Sequence, residues 1–195
     1  ANRAKKQKTK LVAKPKKEIC VSRSFSRPIT DLKELRQSIA THVVRAGEKL
    51  RGQGQRAGAI TIFTRTSPFM PFFHSKAATA RIEIPSNDTR TLLAASLPLT
   101  ERIFKPHYPL IKTGVIMQNI QKKEYLQQHL LMAYSIDQQQ RSENLINTID
   151  QLNLRYGRDT VYWAACGLKP KWNIRSSRLS RSATTRIEDI PIAKA

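Results

Sequence analysis

The stretch Ile19-Cys20-Val21-Ser22-Arg23-Ser24-Phe25-Ser26 decides how the rest of the chain is interpreted. Its β-branched and aromatic residues alternate with short hydroxyl side chains, a pattern typical of a β-strand. Successive strand residues point to opposite faces, so Ser22 and Ser24 share one face and Arg23 lies on the other. A strand of small hydroxyl groups with an arginine nearby would let a phosphate backbone approach closely. An ordinary edge strand would also explain these residues.

The charge of the chain points to a polyanionic partner. The 195 residues include 35 lysines and arginines against 14 acidic residues, which gives a formal net charge of +21. The hydrophobic content of 39% is compatible with a globular core, and the length suits one domain with an appendage or two small domains. Nucleic acid is favoured over a membrane, because no apolar run approaches the length of a spanning helix.

Cysteine usage and the lack of a secretory signal favour a cytoplasmic protein. Cys20 and Cys166 are far apart and match no metal-binding or redox pattern, which suits a reducing compartment. The N-terminal residues are charged and contain no apolar segment of the kind found in signal peptides. Because the first residue is not Met, we expect a fragment or a processed form of a longer protein.

Hydrophobic periodicity predicts alternating strands and helices after the first strand. Apolar residues recur every three or four positions in two segments and every second position in three others. The predicted elements are strands at residues 19–26, 57–67, 76–84 and 110–120, and helices at residues 31–51 and 89–104. Pro98 lies inside the second helix and is expected to kink it or split it in two.

The order strand, helix, strand, strand, helix, strand predicts an α+β fold. Two such half-units pack both helices on one face of a four-stranded sheet and leave the other face open. A one-residue shift in a strand would exchange its two faces, so the exact set on the open face stays undecided. The candidate nucleic-acid-binding residues are basic or carry hydroxyl groups: Ser22, Arg23, Ser24, Arg65, Thr66, Ser67, Arg81 and Lys112.

A face with these side chains suits a sugar-phosphate backbone. Stacked single-stranded bases would need aromatic platforms, which are scarce on the predicted face. Contacts to a backbone fix position without reading base sequence. The residues therefore predict binding to a duplex with little sequence preference.

The C-terminal part of the chain predicts a small α+β module. Residues 141–156 form an amphipathic pattern, whose apolar stripe consists of Leu145, Ile149, Leu152 and Tyr156. Residues 160–165 are predicted to form a strand, and Trp172 is expected to anchor the basic, Ser/Thr-rich segment around it. A module of this size is too small to be very stable alone.

A set of motifs, taken in order, resembles one family. The motifs are Val21-Ser22-Arg23-Ser24-Phe25, Arg65-Thr66-Ser67-Pro68-Phe69, Ile84-Pro85-Ser86-Asn87-Asp88-Thr89-Arg90, Lys112-Thr113-Gly114-Val115, Arg141-Ser142-Glu143-Asn144-Leu145, Tyr156-Gly157-Arg158 and Ser182-Ala183-Thr184-Thr185-Arg186. They resemble the C-terminal region of Y-family translesion DNA polymerases, in the UmuC/ImpB/MucB branch that includes the catalytic subunit of DNA polymerase V. The resemblance extends from about residue 18 to the end of the chain.

The resemblance implies a domain organisation and a role. Residues 18–120 would be the little-finger domain, which grips primer-template DNA across its sheet, and residues 137–195 the small C-terminal domain of this branch. Residues 1–17, with eight positive charges and no acidic residue, would be a basic linker or arm. The implied role is error-prone translesion synthesis in SOS DNA repair and mutagenesis. The implied partners are the sliding clamp, UmuD′-type accessory subunits and the recombinase filament.

The Gln-rich linker at residues 121–136 contains a candidate clamp-binding peptide. Such peptides in this family consist of Gln, two variable residues, Leu and a bulky apolar residue. Gln127-Gln128-His129-Leu130-Leu131 has this spacing, so we predict that Gln127, Leu130 and Leu131 bind the clamp. Gln151-Leu152-Asn153-Leu154 is a second candidate, which is disfavoured because Leu152 belongs to the helix stripe.

The sequence offers no catalytic centre. Nucleotidyl transfer needs carboxylates clustered on two metal ions. Ser135-Ile136-Asp137 is followed by Gln138 where the family's palm signature has Glu, and the four histidines show no ligand spacing. We expect the chain to be inactive alone and to bind no metal or cofactor, magnesium being required by the missing catalytic core.

Two other functions stay open from the residues. A basic RNA-binding or ribosome-associated protein would explain the charge and the order of elements, although the predicted sheet face has few aromatic residues. A self-sufficient nucleotidyltransferase would require a carboxylate cluster that the sequence does not contain. Competition between duplex DNA and single-stranded RNA would separate the first alternative from the family-based prediction.

Overall fold

The computed structural model describes residues 17–122 and 136–168, together with residues 172, 188 and 190. The strands are β1 (Ile19–Ile29), β2 (Gln55–Thr66), β3 (Ser75–Ser86) and β4 (Leu110–Lys122). The helices are α1 (Leu32–Gly52), α2 (Thr89–Ile103) and α3 (Ile136–Tyr156), and a 3₁₀ turn spans Ala164–Cys166. Most of the predicted basic arm and the predicted clamp-binding residues Gln127, Leu130 and Leu131 lie outside the described residues.

The four strands form one antiparallel sheet in the order β1-β4-β2-β3, with α1 and α2 packed together on one of its faces. The predicted α+β fold is therefore confirmed. None of the helices in the described ranges combines the length and the apolar character needed to cross a membrane.

The core lies between the sheet and these two helices. Asp31 begins α1, because its carboxylate accepts a hydrogen bond from the amide of Glu34 at 3.2 Å. The predicted apolar stripe of α1 is buried at Leu35, Ile39, Val43, Ala46 and Leu50. The sheet side chains that complete this core include Ile60, Ile62, Val115 and Met117. The period-two alternation predicted for β2 is confirmed by this burial.

Of the two outcomes predicted for Pro98, a split of α2 does not occur, and the start of β4 is irregular. α2 continues through Pro98 as a single helix. Proline removes the hydrogen bond to the carbonyl four residues earlier, and that residue, Ala94, is exposed, so water can satisfy its carbonyl. Leu110 at the start of β4 is buried and Ile111 is partly exposed, at the point where the pairing with both neighbouring strands is irregular.

The C-terminal segment also differs from the prediction. α3 begins at Ile136, and within residues 140–156 its buried residue is Ile146 rather than Leu145, which is 47% exposed. The predicted strand at residues 160–165 is wrong. The side-chain amide of Asn153 donates to the carbonyl of Val161 at 2.8 Å and accepts from its N–H at 2.9 Å. A side chain thus supplies the backbone partners that a neighbouring strand would have supplied.

Trp172 ties the C-terminal segment to the edge of the sheet. Its side chain is 2% exposed and belongs to the main core, where it contacts the ring of Phe25 edge-on at 5.7 Å. Its carbonyl accepts hydrogen bonds from the amide and the hydroxyl of Ser26, at 3.2 and 3.3 Å. The predicted anchor is confirmed, whereas the predicted domain boundaries stay a prediction.

The buried His42 makes the stability of the fold depend on pH. Burial and the nearby positive charge of Arg23 lower its pKa from 6.5 to about 4. Between these two pKa values the unfolded chain takes up a proton that the folded chain does not, so stability falls as the pH drops through this window. The expected loss is about 3 kcal/mol in total, measurable by urea denaturation at a series of pH values.

A matched pair of variants isolates this histidine. His42→Asn should flatten the pH dependence between pH 6.5 and 4, while His107→Asn, at an exposed position with positive φ that Asn tolerates, should leave it intact. An unchanged acid sensitivity in the first variant would assign the effect to another group.

Candidate nucleic-acid interface

The face of the sheet opposite α1 and α2 is open in the described part of the chain. Strand register assigns every paired residue to one face, because side chains alternate along each strand. Thr113 lies on the covered face, where its hydroxyl is 2.8 Å from that of Ser38 in α1. Its neighbours Lys112 and Gly114 therefore belong to the open face, together with the residues paired with them on β1 and β2.

Pairing aligns the open-face side chains in rows that run across the strands. The row nearest the β2–β3 connection, which we name the basic row, consists of Ser24, Lys112, Arg65 and Ser75. The next row consists of Ser22, Gly114, Phe63 and Ala77. The third consists of Cys20, Ile116, Thr61 and Thr79, and the fourth of Gln118, Ala59 and Arg81.

Gly114 leaves the middle of the open face without a protruding side chain on β4. A Cβ atom at this position would lie 2.5 Å from Cζ of Phe63 and 2.5 Å from Cβ of Ser22. The Phe63 ring therefore lies across β4 in space that any larger residue would need. A surface of this kind, with small hydroxyl side chains beside the glycine, allows another backbone to approach closely.

Polar groups of the third and fourth rows bond to one another. The hydroxyl of Thr61 is 2.8 Å from that of Thr79 and donates to the side-chain carbonyl of Gln118, also at 2.8 Å. The amide of Gln118 in turn donates to Glu18 at 3.2 Å. Because this amide is engaged within the protein, it is poorly placed to read a base edge.

The cations of the open face differ from the arginines on the helix side. Arg65, Arg81 and Lys112 have no carboxylate partner among the described residues, whereas many arginines elsewhere are paired. The ion pairs among the described residues are Arg27–Glu34, Arg36–Glu101, Arg45–Glu48, Arg45–Asp159, Arg51–Asp150, Arg56–Glu143 and Arg90–Asp88. The positive charge of the open face is therefore the more available to a polyanion.

The C-terminal segment supplies the carboxylates for three of these pairs. Asp150 on α3 accepts two hydrogen bonds from Arg51, at 2.6 and 2.9 Å. Glu143 accepts one from Arg56 at 2.6 Å, and the Arg56 side chain is only 7% exposed. Arg56–Glu143 and Arg51–Asp150 join residues 87 and 99 positions apart, and pairs so distant leave no local pattern in the sequence.

The structure brings together five of the predicted binding residues and separates the others. Ser22, Ser24, Arg65, Arg81 and Lys112 share the open face. Arg23 and Thr66 point to the covered face, and Ser67 lies in the β2–β3 loop. Alternation with the buried Ile19 was the signal that could have placed Arg23. Their roles in binding stay a prediction.

No group of three His, Cys, Asp or Glu side chains suited to a metal ion occurs within residues 17–122 and 136–168. The expectation that this chain binds no metal likewise stays a prediction.

Two family models match the chain. Residues 16–130 match the impB/mucB/samB family C-terminal domain, which covers β1 to β4 with α1 and α2. Residues 143–193 match a domain of unknown function (DUF4113), which includes most of α3 and Trp172.

Several known proteins are similar to the chain. Protein ImpB of Salmonella typhimurium is 34% identical over 182 residues, and protein UmuC of the same species is 32% identical over 181 residues. These alignments cover 92% and 91% of this chain but only 42% of each relative. The PolIV little finger, solved in a complex with the beta-clamp processivity factor, is similar with a TM-score of 0.42 and 11% identity, over 59% of this chain and 99% of that chain. Structural likeness at that level carries no argument about function.

Proposed function

This chain belongs to the impB/mucB/samB family, and from that premise we propose that it is the duplex-binding and clamp-tethering C-terminal part of an error-prone translesion DNA polymerase. In this proposal the polymerase acts in SOS DNA repair and mutagenesis, and the chain grips primer-template DNA without catalysing synthesis. The observation that carries the proposal is the open sheet face, whose cations have no carboxylate partner within residues 17–122 and 136–168. UmuD′-type accessory subunits and the recombinase filament are proposed as further partners on the motif resemblance alone.

The geometry suits a phosphate backbone in particular. Neighbouring strands lie about 4.8 Å apart, so Lys112 and Arg65, paired across β4 and β2, place two cationic side chains side by side. Each strand of duplex DNA carries one phosphate per ~3.4 Å of its axis, so both can engage one strand. The hydroxyl of Ser24 flanks this pair, and Arg81 adds a third cation at the far side of the face. Contacts of this kind position a duplex without reading its sequence.

A salt titration of duplex binding tests this proposal. If the face neutralises about three to five phosphates, a plot of the logarithm of the binding constant against the logarithm of salt concentration should have a slope of about −3 to −4.5. Unrelated duplex sequences should give the same affinity. A slope near zero or strict preference for one sequence would contradict the proposal. Stronger binding of single-stranded RNA than of duplex DNA would favour the RNA-binding alternative.

The clamp contact is the second part of the proposal. The supporting feature is the spacing of Gln127, Leu130 and Leu131. Replacing these three residues by Ala is expected to abolish capture by an immobilised sliding clamp. Gln151→Ala with Leu154→Ala is the matched control, because Leu154 is 88% exposed on α3 while the half-buried Leu152 stays untouched. Loss of capture only in the Gln151/Leu154 variant would show that the peptide on α3, and not the one at Gln127, binds the clamp.

A further inference from the structure

The connection between β2 and β3 exposes a group of large apolar side chains. Residues 67–74, which we name the phenylalanine loop, include Phe69 at 95%, Phe72 at 75% and Phe73 at 56% exposure, with Met70 at 42%. Apolar patches of this kind on a soluble protein commonly mark an interaction site. The proposed backbone-binding face does not use them.

The loop is held in a defined shape at its base. Thr66 and His74 form a backbone hydrogen bond at 2.9 Å, and the Thr66 hydroxyl accepts a second bond from the His74 amide at 2.8 Å. Ser67 bonds to the amides of Met70 and Phe69, each at 3.3 Å. Pro68 and Pro71 restrict the backbone further. A surface ordered before binding loses less conformational entropy when a ligand arrives.

The loop begins where the basic row ends. Arg65 and Ser75, the last registered pair of β2 and β3, belong to that row and flank the loop directly. On the other side, His74 packs against Tyr108 at 4.7 Å between ring centroids, and Lys105 lies 4.3 Å above the Tyr108 ring. Cations therefore lie beside both ends of the loop, Arg65 near its start and Lys105 near His74.

We propose that the phenylalanine loop binds unpaired nucleobases of a DNA strand whose duplex part lies on the open face, with Phe69 and Phe72 as stacking surfaces. This inference rests on the proposed function and deepens it. A nucleotide presents an anionic phosphate next to an apolar base, which is complementary to a cation next to an aromatic ring. Base faces inside a duplex are covered by their neighbours, so the ligand is the single-stranded template beside the duplex.

The test compares two DNA probes with the full chain. One probe is a blunt duplex, and the other is the same duplex with a single-stranded template extension containing 2-aminopurine. The variant with both Phe69→Ala and Phe72→Ala should have the same affinity for the blunt duplex as the unchanged chain. Its affinity for the extended probe should fall by about tenfold, and the quenching of 2-aminopurine should be lost. Leu154→Ala, which removes an equally exposed apolar side chain from α3, should change neither signal.

Replacement by leucine separates stacking from general apolar contact. The variant with Phe69→Leu and Phe72→Leu keeps the loop apolar but removes the rings, so it should lose the preference for the extended probe. The variant with Phe69→Tyr and Phe72→Tyr keeps the rings and should keep that preference. Full preference in the leucine variant, or unchanged quenching in the alanine variant, would overturn the inference and favour an apolar pocket on a protein partner. If the unchanged chain bound neither probe, the proposed function itself would fail. Equal affinity for both probes would contradict the proposed role of the phenylalanine loop and leave the proposed duplex binding intact.

Discussion

Trp172→Ala is expected to lower the free energy of unfolding by about 3–5 kcal/mol, because it empties one of the largest buried volumes in the core. The indole contacts Phe25 on the edge strand and lies 6.4 Å from the ring of His42 on α1, so its loss weakens both elements at once. The variant should also loosen the attachment of the C-terminal segment, which would then depend on Trp163, Ala165 and Cys166 and on the ion pairs of Glu143, Asp150 and Asp159.

Chemical denaturation of the full chain measures this effect. Leu168→Ala is the matched control, because Leu168 is 79% exposed four residues earlier in the same segment and should change stability by less than about 0.5 kcal/mol. A loss below about 1 kcal/mol in the Trp172 variant would mean that the surrounding side chains collapse into the space or that the segment contributes little to the core.

Arg65→Ala combined with Lys112→Ala is expected to produce the largest effect on DNA binding. Both residues lie in the basic row, and neither has a carboxylate partner in the part of the chain that the structure describes. Removing two phosphate contacts should reduce the salt slope by about 2 and lower duplex affinity roughly tenfold or more at low salt. The reduction should be equal on unrelated sequences, because backbone contacts carry no base information.

The control for this experiment removes the same charge from the other side of the molecule. Lys49 and Arg102 are exposed in the last turns of α1 and α2. Lys49→Ala with Arg102→Ala keeps the net charge equal to that of the basic-row variant and should leave the salt slope nearly unchanged. Equal losses in the two variants would show that binding depends on overall charge and not on the open face.

The fold could be predicted because its signals are local. Alternation of Ile60 and Ile62 with Thr61 and Phe63 assigns the two faces of β2 without knowledge of its neighbours, since the strand period is two. The α1 stripe is equally local. Arg65 and Lys112 could be placed on the open face by the same reasoning, and so could Arg23 on the covered face, because it shares parity with the buried Ile19.

The features that could not be predicted depend on contacts between distant parts of the chain, which no local sequence pattern contains. The basic row exists because β4 pairs with both β1 and β2 in one particular register, and that register is set by the packing of the whole sheet. The rotation of α3 that buries Ile146 accompanies contacts of Glu143 and Asp150 with distant arginines. Asn153 replaces a strand partner for Val161, which propensity cannot anticipate.

The bond between Ser26 and the Trp172 carbonyl has a consequence for self-association. β1 is an edge strand, and its register with β4 is interrupted between Ser24 and Ile29. Edge strands with unpaired backbone groups invite addition of a strand from another molecule, which leads to aggregation. By occupying the amide of Ser26, the chain's own C-terminal segment covers one donor of this strand. A chain that ended before Trp172 would leave it open to intermolecular strand pairing.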